Sequence, residues 1–277
     1  MIRRHEGNAF WLINQHDHAL AAGNLAAHIG NAQFAKPQPA DTTLLAVAQH
    51  DAGWHPVDER CLISIAGLPL DVFAAPRAVA HEAWLGSAKA VSATDPYAGL
   101  LVSLHQLALS ATSVSANQPS RFDVQQLRQQ FDLNKFQHAM IELAEGLRGT
   151  LGLTLDRPLR LGLADGWTDE PESRLAHNFR LLQAMDVLSL AICCTEPPAI
   201  KTGALHARPG SAPIQLNIHR PSREVLLVKP WPFDIEALTV DVPYRPVPNR
   251  VYTSAADLAR ALEESAPSSF TVTVRPC

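Results

Sequence analysis

Six ionisable side chains stand on stripes of the sequence that are otherwise apolar or small. Over residues 17–29 the helical row is His18, Ala22, Leu25 and Ile29. Over 42–51, Thr43 and Val47 lead to His50, while Leu44 and Ala48 lead to Asp51. After Phe73 the row Ala74, Ala78, His81, Leu85, Ala88 carries one histidine, and over 97–111 the row is Ala98, Leu101, His105, Ala108. The last row is Leu175, Phe179, Leu182, Asp186, Leu190, Cys193. Rows of this spacing turn toward a core. A carboxylate buried there is costly unless a positive charge meets it, and none of these rows offers a lysine. A divalent cation held by imidazole nitrogen and carboxylate oxygen would supply that charge. Taken singly, each histidine fits an ordinary packed core residue, and Asp186 could accept a hydrogen bond from a buried Tyr or Trp. The spacing leaves both readings open.

Those stripes require helices to carry them. Asn14 and Asp17 have capping-box spacing ahead of the Ala/Leu run 19–29. Asp41 can cap a helix that reaches His50 and Asp51, which diverge by about 100° on a helix, with Gly53 freeing its end. Asp95-Pro96 opens 97–111, Asp123 can cap 124–149, and Pro171 opens 172–194, which Pro197-Pro198 ends. The charges Arg121, Arg128, Lys135, Glu142 and Arg148 fit a solvated helix face. One or two short strands are expected within 1–13. After Glu196 the composition changes: twelve of the 21 prolines fall in the last 81 residues, among β-branched runs at 213–219, 224–229, 238–242 and 270–274. These predict short antiparallel strands, with one helix over 255–264. The expectation is a mainly α protein. Residues 1–196 would form a helical core with an N-terminal strand, and 197–277 a small antiparallel β appendage packed on it.

Composition excludes several classes. Lys plus Arg is 23 against 27 Asp plus Glu, a net charge of −4, so no nucleic-acid footprint is indicated. No apolar stretch approaches the ~20 residues of a membrane span, and no secretory signal follows Arg3-Arg4. A cytoplasmic location is expected. Cys61, Cys193, Cys194 and Cys277 form no CxxC pair, and the adjacent pair on an apolar stretch fits plain packing. No Walker or GxGxxG loop occurs, and Ser103 and Ser189 lack a convincing His/Asp arrangement for nucleophilic work.

Three stretches resemble the HD superfamily: His18-Ala-Leu-Ala-Ala-Gly-Asn-Leu-Ala26, its first histidine helix; Leu44-Leu-Ala-Val-Ala-Gln-His-Asp-Ala-Gly-Trp54, its HDxG helix; and Leu182-Leu-Gln-Ala-Met-Asp-Val-Leu-Ser189, its closing aspartate helix. More closely, "INQHDHALAAGNLA", "AVAQHDAGW", "DPYAGLLVSLH", "NFRLLQAMDVLSL", "WPFD" and "VPNRVY" resemble the uncharacterised family DUF3891, across almost the whole chain. The resemblance implies a metal held by His18, His50, Asp51 and Asp186. It also implies a second ion on His81 and His105, with Asp51 bridging. A pair of ions can clamp the attacking and leaving oxygens of a displacement. One departure matters: many HD phosphohydrolases follow HDxG with a lysine that meets phosphate, and here Trp54 stands there, followed by His55.

The leading functional expectation is a metal-dependent hydrolase acting on a phosphoester or related small substrate through metal-activated water. Asp51, His81 and His105 are its catalytic candidates. The cofactor would be one or two divalent ions, with Fe, Mn, Zn, Ni and Mg indistinguishable by composition. An HD-type di-iron oxygenase on the same ligands and a non-enzymatic metal- or ligand-binding protein are the alternatives. Arg77, four residues before His81, is a candidate anion contact. His16 and Trp54 are candidates for the substrate pocket or for contact with the ligands.

Overall fold

In the computed structural model, which describes residues 1–112, 135–153 and 170–277, a β-hairpin leads into a helical bundle and the chain then returns to complete the hairpin's sheet. Strands β1 (Ile2–Glu6) and β2 (Ala9–Ile13) precede helices α1 (Gln15–Ala27) and α2 (Ala40–Gln49). A 3-10 turn over Ala52–Trp54 runs into the single-turn α3 (His55–Asp58), and a second 3-10 turn occupies Val72–Ala74. Then come α4 (Arg77–Thr94), α5 (Pro96–Thr112), α6 (Lys135–Thr150) and α7 (Pro171–Cys193). The remainder is β3 (Leu205–His206), β4 (Pro213–Ile214), β5 (Asn217–Ser222), β6 (Val225–Lys229), β7 (Leu238–Pro248), α8 (Ala255–Glu264) and β8 (Ser268–Pro276).

Local chemistry explains several helix starts. Asp95 Oδ1 accepts from the Ala98 amide at 2.7 Å, and Pro96 takes the first helical position, where its missing N–H costs nothing. Pro171 plays the same part in α7, and Ser254 caps α8 by accepting from the Asp257 amide. Asn14 behaves otherwise: it caps α1 without a side-chain bond to the backbone, its amide donating to Asp17 instead at 3.0 Å. Asp41 lies inside α2 rather than at its cap, which is Pro39. The expected start of α6 near Asp123, with Arg121 and Arg128, lies outside the described residues. Arg148 departs from the solvated face expected of it, being 6% exposed in the last turn of α6.

The fold is not mainly α. It is about 48% helix and 21% strand, with a curled six-stranded mixed sheet, a half-barrel, and a separate two-stranded one. The sheet order is β1-β2-β7-β8-β6-β5, and β6 runs parallel to β8, so the expected small antiparallel appendage is corrected on both size and direction. The reason lies in β7. Its prolines read as strand ends, yet it continues through Pro243, Pro246 and Pro248, pairing with β8 over 238–244 and with β2 over 245–248. Proline lacks the N–H but keeps the carbonyl, so a strand tolerates it where no ladder donor is needed. One long strand thus joins the N-terminal hairpin to the C-terminal strands. The apolar core runs on from Leu25, Leu101, Phe179 and Leu188 of the helices into Val228, Val240, Val242 and Val274 of the sheet. Each such side chain contributes about 1.5–3 kcal/mol on burial.

Candidate metal centre

Five of the six side chains picked from the sequence converge at the middle of the helical layer. His18 stands on α1, His50 at the end of α2, Asp51 at the start of the following 3-10 turn, His105 on α5 and Asp186 on α7. All five are buried; the three histidines are each 1% exposed. Two close approaches set this geometry. A Cβ on Gly23 would lie 2.6 Å from that of Ala48, so α1 and α2 cross nearly backbone to backbone. A Cβ on Gly53 would lie 2.1 Å from the Ala83 carbonyl oxygen and 2.2 Å from the Ser87 amide. The turn carrying Asp51 therefore rests directly on α4, and the Gly53 amide donates to Ser87 Oγ at 2.9 Å.

Four ligand atoms approach one another closely around the two imidazoles. His18 Nε2 lies 3.3 Å from His50 Nε2, 3.2 Å from Asp186 Oδ1 and 3.6 Å from Asp51 Oδ2. His50 Nε2 lies 3.5 Å from Asp186 Oδ1 and 3.8 Å from Asp51 Oδ2. Ligands placed ~2.1 Å from an ion in tetrahedral array stand about 3.4 Å apart. These five distances bracket that value. His105 Nε2 is 3.5 Å from Asp186 Oδ2, the other oxygen of that carboxylate. Two sets of ligand atoms each lie within 4.8 Å of one another, His18/His50/Asp51 and His50/His105/Asp186.

The tautomers make the case for a cation. His50 Nδ1 is 2.8 Å from the Val47 carbonyl, which can only accept, so Nδ1 carries the proton and Nε2 is bare in the neutral ring. Ser189 Oγ donates to the Asp186 carbonyl at 2.9 Å and accepts from His18 Nδ1 at 2.7 Å, which leaves His18 Nε2 bare as well. Two lone pairs and two carboxylate oxygens then face one another in a buried space. Neither ring nitrogen of His105 has a hydrogen-bond partner among the described residues. Buried acceptors facing acceptors call for protons or a metal ion, and this donor set of imidazole and carboxylate suits a divalent transition ion.

Electrostatics agree. Burial disfavours the imidazolium of His18, but hydrogen bonds and charge from Asp186 and Asp51 outweigh it and lift the pKa to about 9. His50 is also raised, burial opposing and Asp51 and Asp186 prevailing. Burial works against both carboxylates, yet the histidines hold Asp51 below the usual range and Asp186 well below it. His105 goes the other way: burial dominates and lowers it to about 4, so its ring stays neutral at physiological pH. Gln106 Nε2 donates to the His50 carbonyl at 2.7 Å and to Asp51 Oδ1 at 3.3 Å, turning Asp51 Oδ2 toward the histidines.

The centre forms the floor of a pocket of about 390 Å³, whose lining includes His18, Asp51, His105 and Asp186. Trp54, Val72, Phe73, Trp84, Leu109 and Leu190 give it apolar walls, and Arg77 and His81 also line it. His81 is not among the clustered ligand atoms. Its ring stacks on Phe136, 4.4 Å between centroids and 10° between planes, and it belongs to the wall. The row that placed it inward was one step off, for Ala74 and Ala78 are exposed while Ala80, Ala83, Ser87 and Val91 form the buried face of α4. Trp54 lines the pocket and is 2% exposed. His16 is half-buried, 6.4 Å from the ring of His55, and is not part of the lining. Sequence reasoning missed Ser189 as the partner of His18, missed Gln106 as the partner of Asp51, and missed Gln15. A polar residue on a buried face was the available signal in each case.

The family described as "protein of unknown function (DUF3891)" matches residues 1–249. The chain belongs to the DUF3891 family. The DUF3891 match covers every residue of the candidate centre and all the strands but β8. No curated protein and no solved structure matches the chain. Among the described residues, no helix is long and apolar enough to cross a membrane.

Proposed function

We propose that the chain is a metal-dependent hydrolase of small substrates, with one divalent ion held by His18, His50, Asp51 and Asp186. The observation that carries this reading is the cluster of bare imidazole nitrogens and carboxylate oxygens, 3.2–3.8 Å from one another across the imidazole–imidazole and imidazole–carboxylate pairs, on the floor of an open pocket. The resemblance of the three motif helices to the HD superfamily supports it. A bound divalent ion supplies Lewis acidity, activating water and polarising a substrate oxygen. Hydrolysis then joins the water oxygen to the phosphorus or carbonyl carbon, breaks the bond to the leaving group, and delivers the water's proton to that group. His105, neutral and without a hydrogen-bond partner among the described residues, can carry that proton at Nε2 between attack and departure. Ser189 and Gln106 hold His18 and Asp51 in the ligating orientation, as partners behind metal ligands commonly do.

A second ion finds less support, because His81 stacks on Phe136 instead of joining His105. That favours hydrolysis at one ion over the di-iron oxygenase alternative. The test is a hydrolysis screen of the metal-loaded protein on p-nitrophenyl phosphate, phosphodiesters and carboxylic esters, beside Asp51→Ala and His105→Gln. Turnover abolished in Asp51→Ala together with its metal, and lowered about 10²–10⁴-fold in His105→Gln with metal retained, is the expected result. Metal-loaded protein inactive across all three classes contradicts the proposal.

A further inference from the structure

The pocket above the centre is unequal in its polar groups. Trp54 Nε1 and Gln15 Nε2 are buried N–H donors without a hydrogen-bond partner among the described residues, and both residues line it. Gln15 sits three residues before His18 on α1, and Trp54 three residues after Asp51 on the 3-10 turn. Each thus lies beside a candidate ligand, where it can donate to a substrate oxygen. Across the wall, Arg77 opens α4, is exposed, and makes no ion pair or hydrogen bond among the described residues. The first turn of α4 has no acidic side chain, so nothing there offsets the positive end of the helix. No lysine is among the described lining residues. His81, one turn along from Arg77, is pushed toward its neutral form by burial and by that guanidinium, which leaves Arg77 as the cationic side chain among the described wall residues. Apart from Ser110, the rest of the described wall is apolar and aromatic.

Resting on the hydrolase reading, we propose that the substrate is a small monocarboxylate with an apolar body. Arg77 holds its carboxylate as a recognition handle, and Trp54 and Gln15 donate to the group that is hydrolysed. One guanidinium matches one carboxylate bidentately. A polyphosphate would leave charges against Trp84, Phe73 and Leu109 without counter-charge, and a sugar would leave hydroxyls there without partners.

The test needs no turnover. Calorimetric titration of the full-length protein with 3-phenylpropionate, its uncharged amide and pyrophosphate is run on wild type, Arg77→Gln and Arg77→Lys, with metal content measured on each sample. Expected are binding of the carboxylate to wild type, at least tenfold weaker binding to Arg77→Gln, partial recovery in Arg77→Lys, amide binding alike in all three, and no binding of pyrophosphate. Carboxylate binding unchanged in Arg77→Gln would overturn the proposal, since the handle would then be elsewhere. So would pyrophosphate binding more tightly than the carboxylate, or no carboxylate binding to protein with its metal in place. Arg77-dependent binding in protein that takes up no metal would sink the hydrolase reading and leave the carboxylate site standing. Because Arg77 is exposed and unpaired among the described residues, its variants retain the fold, which thermal unfolding verifies.

Discussion

Proton position decides the character of the centre. In the metal-free protein His18, at about pKa 9, carries a proton near neutral pH, in the place where a cation would sit. Loading an ion must displace it, so uptake at pH 7.5 should release about one to two protons and weaken as pH falls. Calorimetry in buffers of different ionisation enthalpy reads this directly, and heats that do not depend on the buffer would contradict it. A separate pH effect comes from His177, which burial, with the nearby His206, lowers from 6.5 to about 3. Below pH 6.5 the unfolded chain binds a proton that the folded chain refuses until about pH 3. Stability from this group is therefore full above 6.5 and lost as pH falls toward 3. His177→Leu should flatten the unfolding free energy between pH 6 and 4.5 by nearly one proton's slope, and an unchanged slope would refute the assignment. At this scale the sequence was informative: a His or Asp on an apolar stripe stands out, and five such residues meet. Ser189, Gln106 and Gln15 were not legible, because a lone polar residue on a buried face has no distinctive pattern until its partner is seen.

Two close crossings bring the helices near enough for the side chains to meet. Gly53→Ala must push the turn off the α4 backbone, at a cost of about 1–3 kcal/mol or more. Asp51 moves with that turn, so the variant should show both a lower thermal midpoint and weaker metal retention. Gly146→Ala is the contrasting control, since its Cβ meets nothing within 4 Å on an exposed helix position. It should be neutral, or more stable by up to about 1 kcal/mol. Loss of stability in Gly53→Ala with metal retention untouched would separate the turn from the site. Helix starts were legible from Asp95-Pro96 and Pro171. The face of α4 was not, because alanines at 74, 78, 80 and 83 give a row in either register and only packing against Gly53 selects one.

The whole molecule ties the helices to the sheet through β7 and β8. Strand β8 lies between β7 and β6, with Val272 and Val274 fully buried. Deleting residues 266–277 would bare two strand edges and open the core. The shortened chain should therefore aggregate, or lose near-UV circular dichroism while keeping helix signal. A monomeric, cooperatively unfolding truncation would show that the sheet does not depend on β8. The β-branched runs located the strands, but their order was beyond the sequence. Pairing β6 parallel to β8, and β2 with the far end of β7, depends on contacts between segments up to hundreds of residues apart. The prolines in β7 suggested breaks where the strand continues.

The central claim is that His18, His50, Asp51 and Asp186 hold one divalent ion. Elemental analysis of untagged protein, purified without chelator and beside Asp51→Ala, tests it most directly. The account predicts about one transition-metal ion per chain in wild type and its loss in the variant, with far-UV circular dichroism unchanged. Wild-type protein that holds no metal after loading with Fe, Mn, Zn and Ni, or a variant that keeps the full complement, would contradict it.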